Sequence, residues 1–250
     1  MKIHKLTSHY FFYNKKIKQL ELLKSQGVCN KIYKVTTIKK DYCLRVFKHI
    51  HDKKNHRRTE YNIQKEVAKH KISPKPYVFD KEFILCDFIE GKHKKKISKK
   101  SIKKIAKTLK KLHKIDYKCK PCNLKKEFKK YKKILNDKKS KKLINKALKD
   151  LQELKQYKSN LVLCHHDLNC YNIIFSKNKT YFIDWEFACI NDSFFDLASI
   201  CIEFRLNNKQ QKQFLRHYFH KIEPNPIKKL EIYKRIYTNL WNLWFKAIKI

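Results

Sequence analysis

The run CHHDLNCYN at residues 164–172 places polar side chains at defined spacing between two apolar stretches. His165, Asp167 and Asn172 fit the pattern H-x-D-x-x-x-x-N, and Asp184 follows Asn172 by twelve residues. Phosphoryl transfer requires a carboxylate that orients the attacking hydroxyl and accepts its proton, together with oxygen ligands that hold Mg²⁺ against the phosphates. This pattern supplies that set and predicts phosphoryl transfer, with Asp167 as the base and Asn172 and Asp184 as metal ligands.

The elements around this motif are predicted to bring its two halves together. Residues 161–164 are apolar and predict a buried strand, and residues 173–175 and 181–183 predict a hairpin around a polar turn. That hairpin would bring Asn172 close to Asp184. Either Asp167 or Asn172 alone would more often be an ordinary turn residue, so the prediction depends on the combination.

The rest of the chain is predicted to be β-rich first and helical later. We expect a basic helix over residues 4–25, a hairpin around the polar break at residues 39–41, and a helix over residues 57–70 that ends before Pro74. Residues 77–79 and 83–86 predict short strands. Residues 92–158, and those from about Phe194 onward, predict helices. The fold class is therefore α+β, with a β-rich lobe at residues 1–90, a helical lobe at residues 91–250 and a ligand cleft between them.

The amino-acid composition limits which kinds of partner the protein is expected to bind. The chain has 250 residues and a formal net charge of +40, which attracts nucleic acid, anionic lipid and polyphosphate. Lysines are scattered along the whole chain, so we interpret most of this charge as solvated surface, with a functional basic face as the alternative. No zinc finger or aromatic RNP-type strand is present, so no specific nucleic-acid partner is expected. Attraction to anionic membrane surfaces is expected to be weak.

The nine cysteines show no regular framework, and most lie in apolar stretches. Cys119 and Cys122 form a single C-x-x-C, whereas a structural zinc site needs further ligands at suitable spacing. The first residues contain no apolar signal region, and no stretch approaches the length of a membrane span. We therefore expect a cytoplasmic protein in a reducing compartment.

With these motifs together, the chain resembles the choline kinase and aminoglycoside phosphotransferase superfamily, which has the bilobal protein-kinase-like fold. The segments that carry the resemblance, besides the loop and Asp184, are residues 27–35, 44–46, 88–91, 109–113 and 191–198. They occur in order and at compatible spacing over about residues 25–245. The resemblance implies ATP and Mg²⁺ as cofactors, and it implies that His165 holds the catalytic loop in place.

The resemblance also implies a nucleotide site in the first lobe. Gly27 and Asn30 lie in the turn that covers the nucleotide, and that turn carries fewer glycines than the family pattern, which puts tight cradling of the phosphates in doubt. Arg45 resembles the basic residue of the third strand, and Glu60 its acidic partner, with Glu66 as a rival on the same helix. Residues Phe88 to Glu90 resemble the hinge that faces adenine.

The last helix suggests which acceptor is used. Trp241 and Trp244 form an i,i+3 pair on one helix face, and a quaternary ammonium is held by aromatic faces and nearby carboxylates. Choline kinases resemble this chain here and also at Glu186, Phe187 and Glu203. The alternative is that both tryptophans are ordinary core.

We therefore predict an ATP-dependent phosphotransferase that acts on the hydroxyl of a small cationic alcohol, with choline as the first candidate. Ethanolamine, thiamine and aminoglycosides are the alternative acceptors within the superfamily. A non-catalytic basic module that binds nucleic acid or membrane is the alternative from another class, and the complete set of Asp167, Asn172 and Asp184 argues against it. The sequence leaves the oligomeric state open.

Overall fold

A computed structural model of the protein describes residues 8–24, 30–48, 54–177, 179–219 and 226–248. The chain divides into two compact units. Unit 1 consists of Met1–His93 and Ile174–Glu186, and unit 2 consists of Lys94–Ile173 and Phe187–Ile250. The predicted domain limit at residue 90 remains a prediction.

The main element of unit 1 is a five-stranded antiparallel sheet with the strand order β1-β2-β3-β5-β4. Its strands are β1 (Ile17–Leu22), β2 (Asn30–Thr37), β3 (Asp41–Phe47), β4 (Pro76–Phe79) and β5 (Phe83–Asp87). Apolar side chains on one face form a buried cluster that includes Phe12, Val35, Leu44 and Leu85. The predicted hairpin around residues 39–41 is the β2–β3 pair, and the prediction of strands at residues 77–79 and 83–86 is also correct.

The predicted helix over residues 4–25 is wrong for the part that the structure describes. A 3₁₀ turn occupies Tyr10–Phe12, and β1 pairs with β2. The register shifts between Ile17 and Gln19, and Ile17 and Leu20 both pack against the core cluster. A bulge adds one residue to the two-residue period of a strand. The resulting three-residue spacing of apolar side chains therefore imitated a helix.

Helix α1 (Lys54–Lys69) follows β3, as predicted. Beyond its end Lys71 adopts a left-handed conformation with φ of 59°, which is common where a helix ends. Pro74 and Pro76 cannot continue the helix, and the side chain of Gln64 donates a hydrogen bond to the Pro74 carbonyl over 3.0 Å. The chain is thus turned from α1 into β4.

The second hairpin, β7 (Ile173–Phe175) and β8 (Thr180–Phe182), was predicted correctly as a hairpin but assigned to the second lobe. Residues 174–186 belong to unit 1. The Phe182 amide donates to the Ile72 carbonyl over 2.8 Å, and the Trp185 indole donates to the Ser73 hydroxyl over 3.0 Å. Trp185 is fully buried. These long-range bonds, which no local pattern reveals, attach the hairpin to the turn after α1.

Unit 2 is mainly helical, as predicted. Its helices are α2 (Lys99–Leu112), α3 (Leu124–Ile134), α4 (Lys138–Glu153), α5 (Phe194–Glu203), α6 (Asn208–Tyr218) and α7 (Pro226–Ala247). Helices α2, α3, α4 and α6 each begin after a residue whose side chain accepts a backbone N–H bond from the first turn. These capping residues are Ser98, Asn123, Asp137 and Asn207, respectively. Such caps satisfy amides that have no partner within the helix.

Helix α5 is the central helix of unit 2, since every residue from Phe194 to Cys201 is buried. Strand β6 (Leu161–Cys164) pairs antiparallel with β9 (Cys189–Asp192). Strand β9 was not predicted, because its sequence CIND shows no apolar alternation. The ammonium of Lys229 donates to the Asp192 carboxylate over 2.8 Å, so this buried charge pair joins β9 to α7. None of the described helices combines the length and apolar character needed to cross a membrane.

Gly91 provides the first test of this packing. A β-carbon at Gly91 would lie 2.6 Å from Ile174 Cγ2 and 2.8 Å from the Phe175 carbonyl oxygen, which accepts the Lys92 amide. We expect Gly91→Ala to lower the free energy of unfolding by about 1–3 kcal/mol and the Tm by about 2–12 °C, measured by thermal unfolding. Lys99→Ala, a surface change, is the control. An unchanged Tm for Gly91→Ala would contradict this packing.

Candidate active site

The loop between β6 and β7 holds the predicted catalytic residues of unit 2. The Asp167 side chain is largely buried and accepts hydrogen bonds from the amide groups of Asn169 and Asn172, over 3.0 and 2.8 Å. The same Asn172 nitrogen also donates to the Asp167 carbonyl over 2.9 Å. Since its nitrogen is directed at Asp167, the side-chain oxygen is the atom of Asn172 that is suited to a cation.

A buried carboxylate anchors this loop. Asp196 on α5 is fully buried, and its two oxygens accept the backbone N–H groups of His165 and His166 over 2.8 and 2.9 Å. The ring of His113 on α2 lies 3.1 Å from the same carboxylate. Burial by itself raises the pKa of Asp196, but His113, His165 and the backbone donors hold it below its ordinary value. Asp196 therefore holds the backbone at the start of the loop through these two hydrogen bonds.

The histidines of the loop and of α2 are internal. His165 is fully buried, and its Nδ1 accepts a hydrogen bond from the Asp167 amide over 3.3 Å. His113 packs between helices, with its second ring nitrogen 2.7 Å from the Tyr218 hydroxyl. His166 stacks on Phe195 at a ring distance of 3.7 Å. Neither His113 nor His166 had been assigned a place in the site.

Both units contain a candidate site residue, or its neighbour, with a strained backbone conformation. Among the described residues other than glycine, four have a positive φ. Lys71 and Arg205 follow the ends of helices, where this conformation is common. The other two are His166, with φ of 72°, and Asp184, with φ of 67°. Such conformations persist only where the surroundings enforce them, and they are frequent at functional sites.

In unit 1, Arg45 lies between two carboxylates. Its guanidinium donates to Glu60 in a short hydrogen bond and to Asp184 Oδ1 over 3.1 Å. Glu60 is only 3% exposed, whereas Glu66 pairs with Lys69 at the surface. The structure therefore supports Glu60, rather than Glu66, as the partner of Arg45.

Burial and neighbouring charges shift the pKa values of Arg45 and Glu60. Burial by itself lowers the pKa of Arg45, but Glu60 and then Asp184 raise it above its ordinary value, so the guanidinium remains charged. Burial also raises the pKa of Glu60 to about 7, against the attraction of Arg45. Asp184 and Glu186 act on Glu60 in the same direction as burial. Unit 1 thus holds a cation between the carboxylates of Glu60 and Asp184.

The other predicted nucleotide residues belong to the sheet and its exit. Asn30 begins β2 and pairs with Phe47. The Phe88 amide donates to the Asp41 carbonyl over 3.3 Å, and the Lys34 ammonium lies 4.9 Å from the centre of the Phe88 ring. Glu90 is exposed. Gly27 lies outside the described residues.

A group of aromatic side chains occupies unit 2 on α7 and after β8. We call it the aromatic cluster, and it consists of Phe187, Tyr237, Trp241 and Trp244. Trp241 lies at ring distances of 6.0 Å from Phe187, 6.1 Å from Tyr237 and 5.2 Å from Trp244, all edge to face. The buried Nε1 of Trp241 makes no hydrogen bond with the described residues, which is unusual for a tryptophan that is ordinary core.

Carboxylates accompany this cluster. The Tyr237 hydroxyl donates to Glu203 over 2.9 Å. Burial, and then the negative charges of Glu203 and Asp167, raise the pKa of Tyr237. Tyr237 was missed in the sequence, although it lies one helical turn before Trp241. Glu186, which was predicted to contribute to the same pocket, lies in unit 1 and is exposed.

Comparison with known proteins gives a consistent picture. A curated relative, a "Protein LicA homolog" of Metamycoplasma hominis, is 35% identical over 108 residues, which is 43% of this chain and 42% of that protein. The match thus spans less than half of the relative's length. The crystal structure of choline kinase LicA from Streptococcus pneumoniae is similar with a TM-score of 0.81 at 25% identity, over 99% of this chain and 91% of that one.

A structure of LicA in complex with AMP matches with a TM-score of 0.75, also at 25% identity, over 99% of this chain and 88% of that one. These likenesses confirm the predicted α+β, protein-kinase-like fold. The sequence model of the choline/ethanolamine kinase family matches residues 22–244. The chain therefore belongs to the choline/ethanolamine kinase family.

Proposed function

We propose that this protein transfers the γ-phosphoryl group of ATP to the hydroxyl of a small cationic alcohol, with choline as the preferred acceptor. The observation that carries the choice of acceptor is the aromatic cluster, joined to Glu203 by the Tyr237 hydroxyl. A quaternary ammonium donates no hydrogen bond, so aromatic faces and a nearby carboxylate are the groups that bind it. Family membership and the LicA structures support the same chemistry.

The nucleotide half of the proposal rests on unit 1. Arg45, oriented by Glu60, would neutralise charge on the α- and β-phosphates. Backbone from Phe88 to Glu90 would face adenine, and Asn30 with Gly27 would contribute to the turn over the phosphates. The complex of LicA with AMP supports nucleotide binding in this fold.

The residues proposed to hold Mg²⁺ have the right chemistry for it. Mg²⁺ prefers oxygen ligands, and Asp184 offers a carboxylate while Asn172 offers its amide oxygen. The hydrogen bond from Arg45 holds the Asp184 carboxylate, and the hydrogen bonds of the Asn172 amide to Asp167 hold the Asn172 side chain. Bound Mg²⁺ supplies positive charge against the phosphates.

The reaction step is assigned to Asp167. Its carboxylate would orient the acceptor hydroxyl and take its proton as the hydroxyl oxygen attacks the γ-phosphorus. Asn169 and Asn172 hold the carboxylate in place through their amide groups. Asp196 and His165 fix the backbone that carries it.

The first test is ADP release from Mg-ATP with choline, ethanolamine and thiamine in parallel. We expect choline to give the highest kcat/KM. We expect Asp167→Asn to lower kcat by about 10²–10⁴-fold, because a positioned base contributes that much, while nucleotide binding measured by titration is retained. Asp116→Asn, the same change at an exposed carboxylate, is the control. Wild-type turnover in Asp167→Asn would refute the assignment. Activity with another acceptor alone would remove choline but keep the chemistry.

A second test addresses the aromatic cluster. Each aromatic contact to a cation is worth about 0.5–2 kcal/mol, so Trp241→Ala should raise the KM for choline roughly 2- to 30-fold. Trp241→Phe keeps a ring face and should recover part of this loss. Tyr13→Ala, a change of an exposed aromatic side chain in unit 1, is the control, and the KM for ATP should stay constant in all three. An unchanged choline KM in both Trp241→Ala and Trp244→Ala would exclude this pocket.

A third test uses pH. Burial raises the pKa of Glu203 above its ordinary value, against the hydrogen bond from Tyr237. Its carboxylate is therefore charged at high pH and gains a proton as pH falls through the raised pKa. Choline keeps its charge throughout, so we expect its KM to rise as pH falls, with the KM for ATP as the internal control. In Glu203→Gln the KM should be high and independent of pH. The same pH dependence in both proteins would contradict the role of Glu203.

A further inference from the structure

Three potential metal ligands from separate parts of unit 2 meet beside the catalytic loop. They are Cys122, between α2 and α3, His166 in the loop, and Cys189, the first residue of β9. One ligand atom from each lies within 4.8 Å of the other two. The Cys122 amide donates to the Ile190 carbonyl over 2.8 Å, which fixes the Cys122 backbone against β9.

We propose that Cys122, His166 and Cys189 form a binding site for one thiolate-preferring divalent ion, Zn²⁺ above all, separate from the Mg²⁺ of the proposed reaction. Two sulfur ligands and one imidazole select Zn²⁺, whereas Mg²⁺ takes oxygen ligands. Three protein ligands leave the fourth tetrahedral position to water.

The distances suit such an ion. With bonds of about 2.3 Å, two sulfur atoms of a tetrahedral zinc site lie about 3.8 Å apart. Two sulfur atoms within 4.8 Å of each other therefore need to approach by at most about 1 Å, and a sulfur and a nitrogen atom by slightly more. Cys122 and Cys189 are partly exposed, so an ion can reach them from solvent.

The surroundings already favour an anionic sulfur. A hydrogen bond from the Cys189 thiol lowers the pKa of Cys122, against burial, and the ring of His166 acts in the same direction as that bond. The Nε2 atom of His166 lies 2.7 Å from Asn191 Nδ2, so Nδ1 is the nitrogen left for the metal. An outer partner such as Asn191 is a regular feature of histidine ligands. Ion binding would release the Cys189 proton and move the ring proton to Nε2. A half-turn of the Asn191 amide would then turn its oxygen to Nε2, in exchange for the hydrogen bond that this oxygen accepts from the Asp192 amide over 2.8 Å.

A second triplet shows why proximity alone is insufficient. His113, Cys164 and Asp196 also lie close together and are buried. Both nitrogens of His113 and both oxygens of Asp196, however, are engaged in the hydrogen bonds that anchor the loop. That triplet therefore leaves only the Cys164 sulfur for an ion.

An ion bound at this site would constrain the loop that carries Asp167. His166 lies between His165 and Asp167, so the ion would join the loop directly to β9 and to the segment before α3. Binding to the folded protein alone also raises its apparent stability. The site would thus act as a clamp on the loop that carries Asp167.

Cobalt provides a readout that needs no turnover. Reduced protein is titrated with Co²⁺ in the absence of nucleotide, and we expect one equivalent to produce thiolate-to-cobalt charge-transfer absorption and tetrahedral d–d bands that Zn²⁺ abolishes. Loss of an outer partner of a metal ligand lowers metal affinity by about 10- to 100-fold. Cys122→Ser and Cys189→Ser each remove a ligand itself, so each should lower the affinity for Co²⁺ by more than that. Cys119→Ser is the matched control, since this cysteine belongs to the same C-x-x-C but lies outside the triplet.

Alkylation of the unmodified protein provides an independent check. Zn²⁺ should protect Cys122 and Cys189 from iodoacetamide, as measured by mass spectrometry of peptides, and leave Cys119 reactive. Absence of thiolate bands at one equivalent of Co²⁺ would overturn the proposal. Bands that persist in both serine variants, or that disappear in Cys119→Ser, would overturn it equally.

Discussion

The carboxylate of Asp196 is a negative charge in the interior of unit 2, with its oxygens occupied by the His165 and His166 amides and by the His113 ring. A buried charge that loses its partners is strongly destabilising, by about 3–5 kcal/mol. Because Asp196 is part of α5, the position of α5 determines the position of the backbone at the start of the loop. Because α5 is buried over almost its whole length, the position of Asp167 depends on the packing of the helical unit around it.

In unit 1, a positive charge is likewise held by partners from several elements. Arg45 is a partly buried cation, and the sheet places it opposite Ile84 of β5 while α1 supplies Glu60. Asp184 completes the group from the hairpin that joins the sheet from a distant part of the chain. Each unit thus contains a largely buried charged group whose partners come from several elements. Such groups are rigid before any ligand arrives, which is the condition for electrostatic catalysis.

Much of this arrangement was predictable because local patterns encode it. The motif around Asp167, the hairpins and the helices follow from spacing and from turn residues. What could not be predicted depends on contacts distant in sequence or on local irregularity. The bulge in β1 gave Ile17 and Leu20 the spacing of a helix. Tyr237 carries no motif of its own, and only the fold brings Cys122, His166 and Cys189 together, from segments whose spacing resembles no zinc motif.

The discontinuity of unit 1 has a consequence for biosynthesis. Its sheet is encoded before residue 93, but the hairpin that carries Asp184 and Trp185 is encoded after about eighty residues of unit 2. The N-terminal sheet must therefore emerge from the ribosome before the Ser73 hydroxyl and the Ile72 carbonyl can form their hydrogen bonds with Trp185 and Phe182. Domains that are continuous in sequence can fold in the order of synthesis. Here, the first unit to be translated becomes complete only when most of the second has left the exit tunnel.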